Sequence, residues 1–243
     1  MAAFNVSLDD SSPLITYSPL GAWFDTPSND TQASSYNSQS LHTTSSQGAS
    51  AIFVFNGTGV WLFGGLRSNY GPYSFSVDGK VITTGTSKND VFQANQLLGG
   101  KSDLEMGEHT AVLRCESGAP IDLDNIIFQT QVSHASGPVN ANTVQDNASN
   151  ITYSPSDAWT ESKGDIFSGG TVRHTDKEAA TASMKFTGDA VAVYGGSSFD
   201  HGEYIVDIDG RRRALNGGGD GQSRVYHPQV RTSSMCSLSC LVF

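Results

Sequence analysis

One stretch of the sequence occurs twice. Residues 51–79 read AIFVFNGTGVWLFGGLRSNYGPYSFSVDG, and residues 182–210 read ASMKFTGDAVAVYGGSSFDHGEYIVDIDG. Ala51, Phe55, Gly57, Val60, Gly64, Gly65, Gly71, Tyr73, Asp78 and Gly79 each meet the same residue type 131 positions later. Both copies predict strand, Gly turn, strand, Gly-rich loop, strand and an Asp-Gly hairpin turn. Ala182, Met184 and Phe186 alternate with Thr181, Ser183 and Lys185. A period of two with one polar face is what an antiparallel sheet with one solvated side requires. A repeat of this spacing divides the chain into two similar domains.

The flanking residues extend the repeat. Ile15-Thr-Tyr-Ser-Pro19 with Trp23 matches Ile151-Thr-Tyr-Ser-Pro155 with Trp159 at a shift of 136, as Asp10 matches Asp146. His42-Thr43 is echoed by His174-Thr175 at a shift of 132. Residues 26–48, rich in Ser, Asn, Gln and Thr, read as a long surface loop whose length differs between copies. Copy one continues with a strand at Asn95–Leu98, a turn at Gly99-Gly100, and strands at Glu108–Arg114 and Ile121–Phe128. The expected fold class is all-β, two tandem antiparallel β-sandwich (jelly-roll) repeats. Residues 1–131 form the first, 132–149 a polar linker, 150–230 the second, and 231–243 a tail of different composition. Only 33 residues follow Gly210, so the second repeat is expected to lack its last strands and to self-associate through open edges.

The formal net charge of −10 argues against nucleic-acid and anionic-membrane partners, which need clustered Lys and Arg. The basic run Arg211–Arg213 follows an Asp-Gly turn and reads as a solvated hairpin end. No apolar run is long enough to span a bilayer, and residues 1–10 show no signal peptide. Asn5, Asn29, Asn56, Asn147 and Asn150 begin N-glycosylation sequons. Cys115, Cys236 and Cys240 are too few for a disulfide scaffold.

The order Ile-Thr-Tyr-Ser-Pro…Trp, His-Thr-Thr, GASAxFxFxGTGV, GPYSFSVDG and HTAVL…IDLDNI resembles the tandem galactose-binding-like β-sandwich repeats of fungal cell-surface proteins. The resemblance covers nearly all of copy one and two-thirds of copy two. It implies an extracellular or cell-surface location and recognition of a sugar or a cell-wall polysaccharide. The signal peptide, Ser/Thr-rich stalk and membrane helix of such proteins are absent from this sequence, which therefore looks truncated.

Candidate ligand-binding residues divide between two readings each. Trp23 is either a sugar-stacking platform or a core residue. Trp61 is Ala192 in copy two, so either packing differs between the copies or Trp61 faces solvent. Arg67, Asn69, Tyr70 and Tyr73 bring a fork donor, an amide and aromatic rings to one loop and the strand after it. His42 is either a ligand donor or a hydrogen-bonded loop anchor. Asp9, Asp10, Asp122 and Asp124 come together if the first and last strands are neighbours. Like charges so close need hydrogen-bond donors or a cation between them, so a structural Ca²⁺ is the one cofactor considered. No Gly-x-Ser-x-Gly, His-Glu-x-x-His or phosphate-binding loop is present, and no carboxylate pair is marked by spacing. The expected function is a non-catalytic carbohydrate- or cell-wall-binding module. The alternatives are a structural or adhesive ectodomain and a hydrolase or hydrolase accessory domain.

Overall fold

The alternation of residues 51–57 becomes a strand with Ala51, Phe53 and Phe55 buried and Val54 and Asn56 exposed. The computed structural model describes residues 2–27, 29–132, 142–188, 190–196, 201–217, 236–237 and 239–242. It is all-β and divides into two compact units, Ala3–Gln131 and Val132–Gly218, the second also taking in the strands near the C-terminus. Linker residues 133–141 and much of 218–243 lie outside the described residues. Among the described residues no helix is long and apolar enough to cross a membrane.

The strands of the first unit are β1 (Ala2–Asp9), β2 (Ile15–Ser18), β3 (Phe24–Asp25), β4 (His42–Thr44), β5 (Ser50–Gly57) and β6 (Gly59–Leu66). They continue as β7 (Pro72–Val77), β8 (Lys80–Thr86), β9 (Gln93–Lys101), β10 (Gly107–Cys115), β11 (Ile121–Leu123) and β12 (Asn125–Val132). One sheet has the order β1-β12-β6-β9, a second β2-β5-β10-β7-β8, and a third β11-β4-β3. Val60, Leu62, Leu98 and Ile126 of the first sheet share a core with Phe53, Phe55, Phe75, Val77, Ala111 and Leu113 of the second. Trp23, Ile121 and Leu123 join the same core. This is a sandwich.

Three local expectations change. Gly99-Gly100 is no turn; β9 runs through it. A Cβ on Gly99 would lie 2.5 Å from Phe75, and one on Gly100 would run into the Trp61 indole. These positions need the absence of a side chain within a strand. Gly64-Gly65 likewise belongs to β6, where Gly65 passes beneath Tyr36 and Asp122. Residues 26–48 are not a plain surface loop. They contain two 3₁₀ turns, Ala33–Ser35 and Asn37–Gln39, and bury Thr26, Tyr36 and Leu41.

The second unit holds β13 (Asn142–Val144), β14 (Ile151–Ser154), β15 (Thr160–Lys163), β16 (Thr171–Thr175), β17 (Thr181–Met184) and β18 (Val191–Tyr194). The hairpin of β19 (Glu203–Ile208) and β20 (Arg211–Asn216) follows, then β21 (Cys236–Ser237) and β22 (Ser239–Val242). β21 pairs with β16, and β22 with both β13 and β18. Strand register corrects the match between the two histidines. Asp25 opposes His42 across β3–β4, and Glu161 opposes Arg173 across β15–β16. Glu161 lies 136 positions after Asp25, and Arg173 lies 131 after His42. The counterpart of His42 is therefore Arg173. The next contact agrees: Ser46 N–H donates to Thr44 Oγ1, and Lys177 N–H to Thr175 Oγ1, each at 3.1 Å.

Candidate functional site

β1 and β12 are neighbours, and the chain leaving β1 is tied to the β11–β12 junction by the Asp10 N–H bond to Asp124 O, 2.9 Å. This brings Asp9, Asp10, Asp122 and Asp124 into one region, Asp10, Asp122 and Asp124 fully buried. What intervenes between the carboxylates is a set of protein donors. Asp122 Oδ1 accepts the Gly65 N–H at 2.5 Å, and Oδ2 accepts the Tyr36 and Tyr70 hydroxyls at 2.7 and 2.8 Å. Asp10 Oδ1 accepts Ser40 Oγ–H at 2.7 Å and Oδ2 faces His42 Nδ1 at 2.6 Å. Asp9 accepts from Ser11, Asn37 and Ser40. Asp124 Oδ1 accepts the Asn37 N–H at 2.9 Å.

Beside this cluster Asp124 Oδ2 and Asn125 Oδ1 are buried without a hydrogen-bond partner among the described residues. Among the described residues no group of three or more His, Cys, Asp or Glu side chains is arranged to hold a metal ion. Burial raises the Asp124 pKa to about 7, helped by the charges of Asp10, Asp122 and Asp9 and opposed by the Asn37 N–H. Burial also raises Asp122, against the pull of the Gly65 N–H and the two tyrosine hydroxyls.

His42 lies between two acids. Its Nδ1 is 2.6 Å from Asp10 Oδ2 and its Nε2 is 2.6 Å from Asp25 Oδ1, with the Tyr17 ring stacked on it at 4.3 Å. Burial lowers its pKa, and the hydrogen bonds and charges of Asp10 and Asp25 more than offset this, raising it to about 9. The reading of His42 as a ligand donor is thereby corrected: both ring nitrogens are spent inside the fold.

Three other candidates are also turned inward. Trp23 is fully buried and offers no face to a sugar. Tyr73 is buried in the core, with its hydroxyl over Gly85. Tyr70 is buried and bound to Asp122. Arg67 is half-buried, 2.8 Å from Asp30 through Nη2, donating from Nε to Tyr36 Oη at 3.0 Å, and framed by the Tyr36, Tyr70 and Phe92 rings. Asn69 is exposed at the loop tip. Asp25, Asp30 and Tyr36 were missed in the sequence; only the shift of 136 between Asp25 and Glu161 marks one of them.

Trp61 is different. It alternates with the buried Val60 and Leu62 on β6 and is half-buried on the outer side of the four-stranded sheet. Its indole lies across Gly59 of its own strand and Gly100 of β9. Ile127 stands beside it on β12, and Phe63 follows two residues on, opposite the exposed Leu97. A chain of polar groups borders the ring. Thr58 Oγ1 donates to Gln129 Oε1 at 2.9 Å, and Gln129 Nε2 to Asn5 Oδ1 at 3.5 Å. Trp61 is partly accessible, with its indole packed against Gly59 and Gly100.

No protein-family model matches the chain. Over 204 residues, 84% of its length, the chain is 30% identical to an A type blood alpha-D-galactosamine galactosaminidase from Flavonifractor plautii, and it spans 18% of that protein. Among solved structures, the CBM36-1 domain of a multidomain xylanase from the hindgut metagenome of Trinervitermes trinervoides is 11% identical, with a TM-score of 0.38. That likeness covers 54% of this chain and 99% of the domain. A family two carbohydrate esterase from Cellvibrio japonicus is 12% identical, with a TM-score of 0.35, over 54% of this chain and 35% of the esterase. Both structural likenesses are too slight to carry an argument. The galactosaminidase match corrects the expectation of a protein that is no enzyme, because the relative is named for a catalytic activity.

Proposed function

We propose that the first unit is a glycan-recognising β-sandwich of a carbohydrate-active protein and takes its sugar on the outer face around Trp61. The observation that carries the reading is the partly exposed indole laid across Gly59 and Gly100. The glycines leave room for the ring to lie against the sheet, and a flat aromatic face suits the apolar C–H face of a pyranose. The amides of Gln129 and Asn5 supply hydrogen-bonding groups for hydroxyls at the ring's border. The name of the matched relative supports a sugar of the galactosamine class.

The test is calorimetric titration of the full chain with oligosaccharides ending in galactosamine or N-acetylgalactosamine. Trp61→Ala is expected to weaken binding at least tenfold, with the melting temperature measured alongside to show that the variant is folded. Binding unaffected by Trp61→Ala removes the site. The same match favours a second reading, in which the chain forms part of a glycosidase. Release of a chromophore from a nitrophenyl galactosaminide by the purified chain would establish it.

A further inference from the structure

The positions of Asp10, His42 and Asp25 have counterparts occupied by different residues. In the second unit Asp146 replaces Asp10, Glu161 replaces Asp25 and Arg173 replaces His42. The aromatic lid recurs as well. Tyr17 stacks on His42 and its hydroxyl donates to Asp10 O at 2.8 Å; Tyr153 faces the Arg173 guanidinium at 4.9 Å and its hydroxyl donates to Asp146 O at 2.7 Å. Asp10 and Asp146 are both fully buried. Arg173 Nη2 lies 3.7 Å from Glu161 Oε2, so the arginine pairs with one acid; Asp146 Oδ1 accepts from Thr171 Oγ1 at 2.7 Å, and among the described residues Asp146 Oδ2 and Arg173 Nε have no hydrogen-bond partner.

Arginine has no neutral form in proteins and no acceptor, so whatever this position does in the second unit, a cation does it. The geometry in the first unit agrees. A neutral imidazole has one donor and one acceptor nitrogen, yet both nitrogens of His42 face carboxylate oxygens at 2.6 Å. Only an imidazolium donates to both. A metal ligand or a general base needs a free ring nitrogen, and His42 has none.

We infer that His42 is a positioning residue, a fixed cation interchangeable with arginine, in an acid–cation–acid clamp that pins the loop between β3 and β4 and through it Arg67. The connection runs through named contacts. The clamp joins β3 to β4, and the segment between them carries Asp30 and Tyr36, which hold the two ends of the Arg67 guanidinium. That segment also carries Asn37 and Ser40, which donate to Asp124, Asp9 and Asp10. Without a cation at position 42, Asp10 and Asp25 face each other across a buried gap and the segment loses its anchor.

Hydrogen exchange of the full chain at constant pH tests the inference. His42→Gln, which cannot carry charge, is expected to lower protection in residues 26–41 and 66–71 by roughly tenfold or more. His42→Arg is expected to keep protection within about threefold of the parent. The reciprocal pair asks the same of the second unit. Arg173→Gln lowers protection over residues 160–175, and Arg173→His restores it at about pH 5.5, where a histidine is protonated. Unchanged protection in both Gln variants overturns the inference. So does a result in which neither His42→Arg nor Arg173→His exceeds its Gln counterpart.

Discussion

Asp124 is a buried carboxylate with one oxygen bound to the Asn37 N–H and the other without a hydrogen-bond partner among the described residues. Its folded pKa of about 7 lies above the ordinary carboxylate value. The sign follows: the stability linked to this group is fully present below about pH 4 and is lost as pH rises through about 7. Asp124→Asn keeps an acceptor for Asn37 and removes the charge. It is expected to leave the melting temperature unchanged at about pH 4 and to stabilise the fold by about 2 kcal/mol at about pH 8. A variant no more stable than its parent at the higher pH defeats the argument. The grouping of the four aspartates was legible in the sequence, because neighbouring first and last strands bring Asp10 and Asp124 together. Their partners were not. Tyr36 and Asn37 sit in a polar stretch whose composition gives no sign of a buried tyrosine. Arg173 was obscured by His174 beside it, since matching residue names is a weaker guide than strand register.

At the level of elements, alternation was the strongest signal and glycine the most misleading. Residues 51–57 show their buried and exposed faces directly, because side chains on a strand alternate whatever the neighbours are. Gly99-Gly100 reads as punctuation in isolation. Its actual requirement is set by Phe75 and Trp61 on other strands, which sequence order does not place beside it. Gly99→Ala is therefore expected to overpack the core against the fully buried Phe75, at a cost of about 1–3 kcal/mol in urea denaturation. Gly100→Ala presses on a ring that is partly exposed rather than enclosed in the core. It is expected to cost less stability than Gly99→Ala and, with the glycan site proposed at Trp61, to reduce sugar affinity. Equal stability losses in the two variants would mean that Trp61 is held as rigidly as the core.

On the scale of the whole molecule the two units differ in what they bury. The first encloses a core running from Ile15 to Ile126. In the second, Ile151 and Val172 are the buried apolar side chains among the described residues, while Ile166, Tyr194, Ile205 and Ile208 are exposed. Because apolar burial is the main favourable term in folding, calorimetry is expected to show two transitions, the second unit melting first. A single cooperative transition would contradict this. The adjacency of β1 and β12 has a separate consequence. Asn5 meets Gln129 and Asp10 meets Asp124, so the strands run in opposite directions and the entry and exit of the first unit lie side by side. A domain joined in this way is a pendant. Such a domain can be inserted into a loop of another protein without stretching its host, leaving the sheet face that carries Trp61 turned away from the splice.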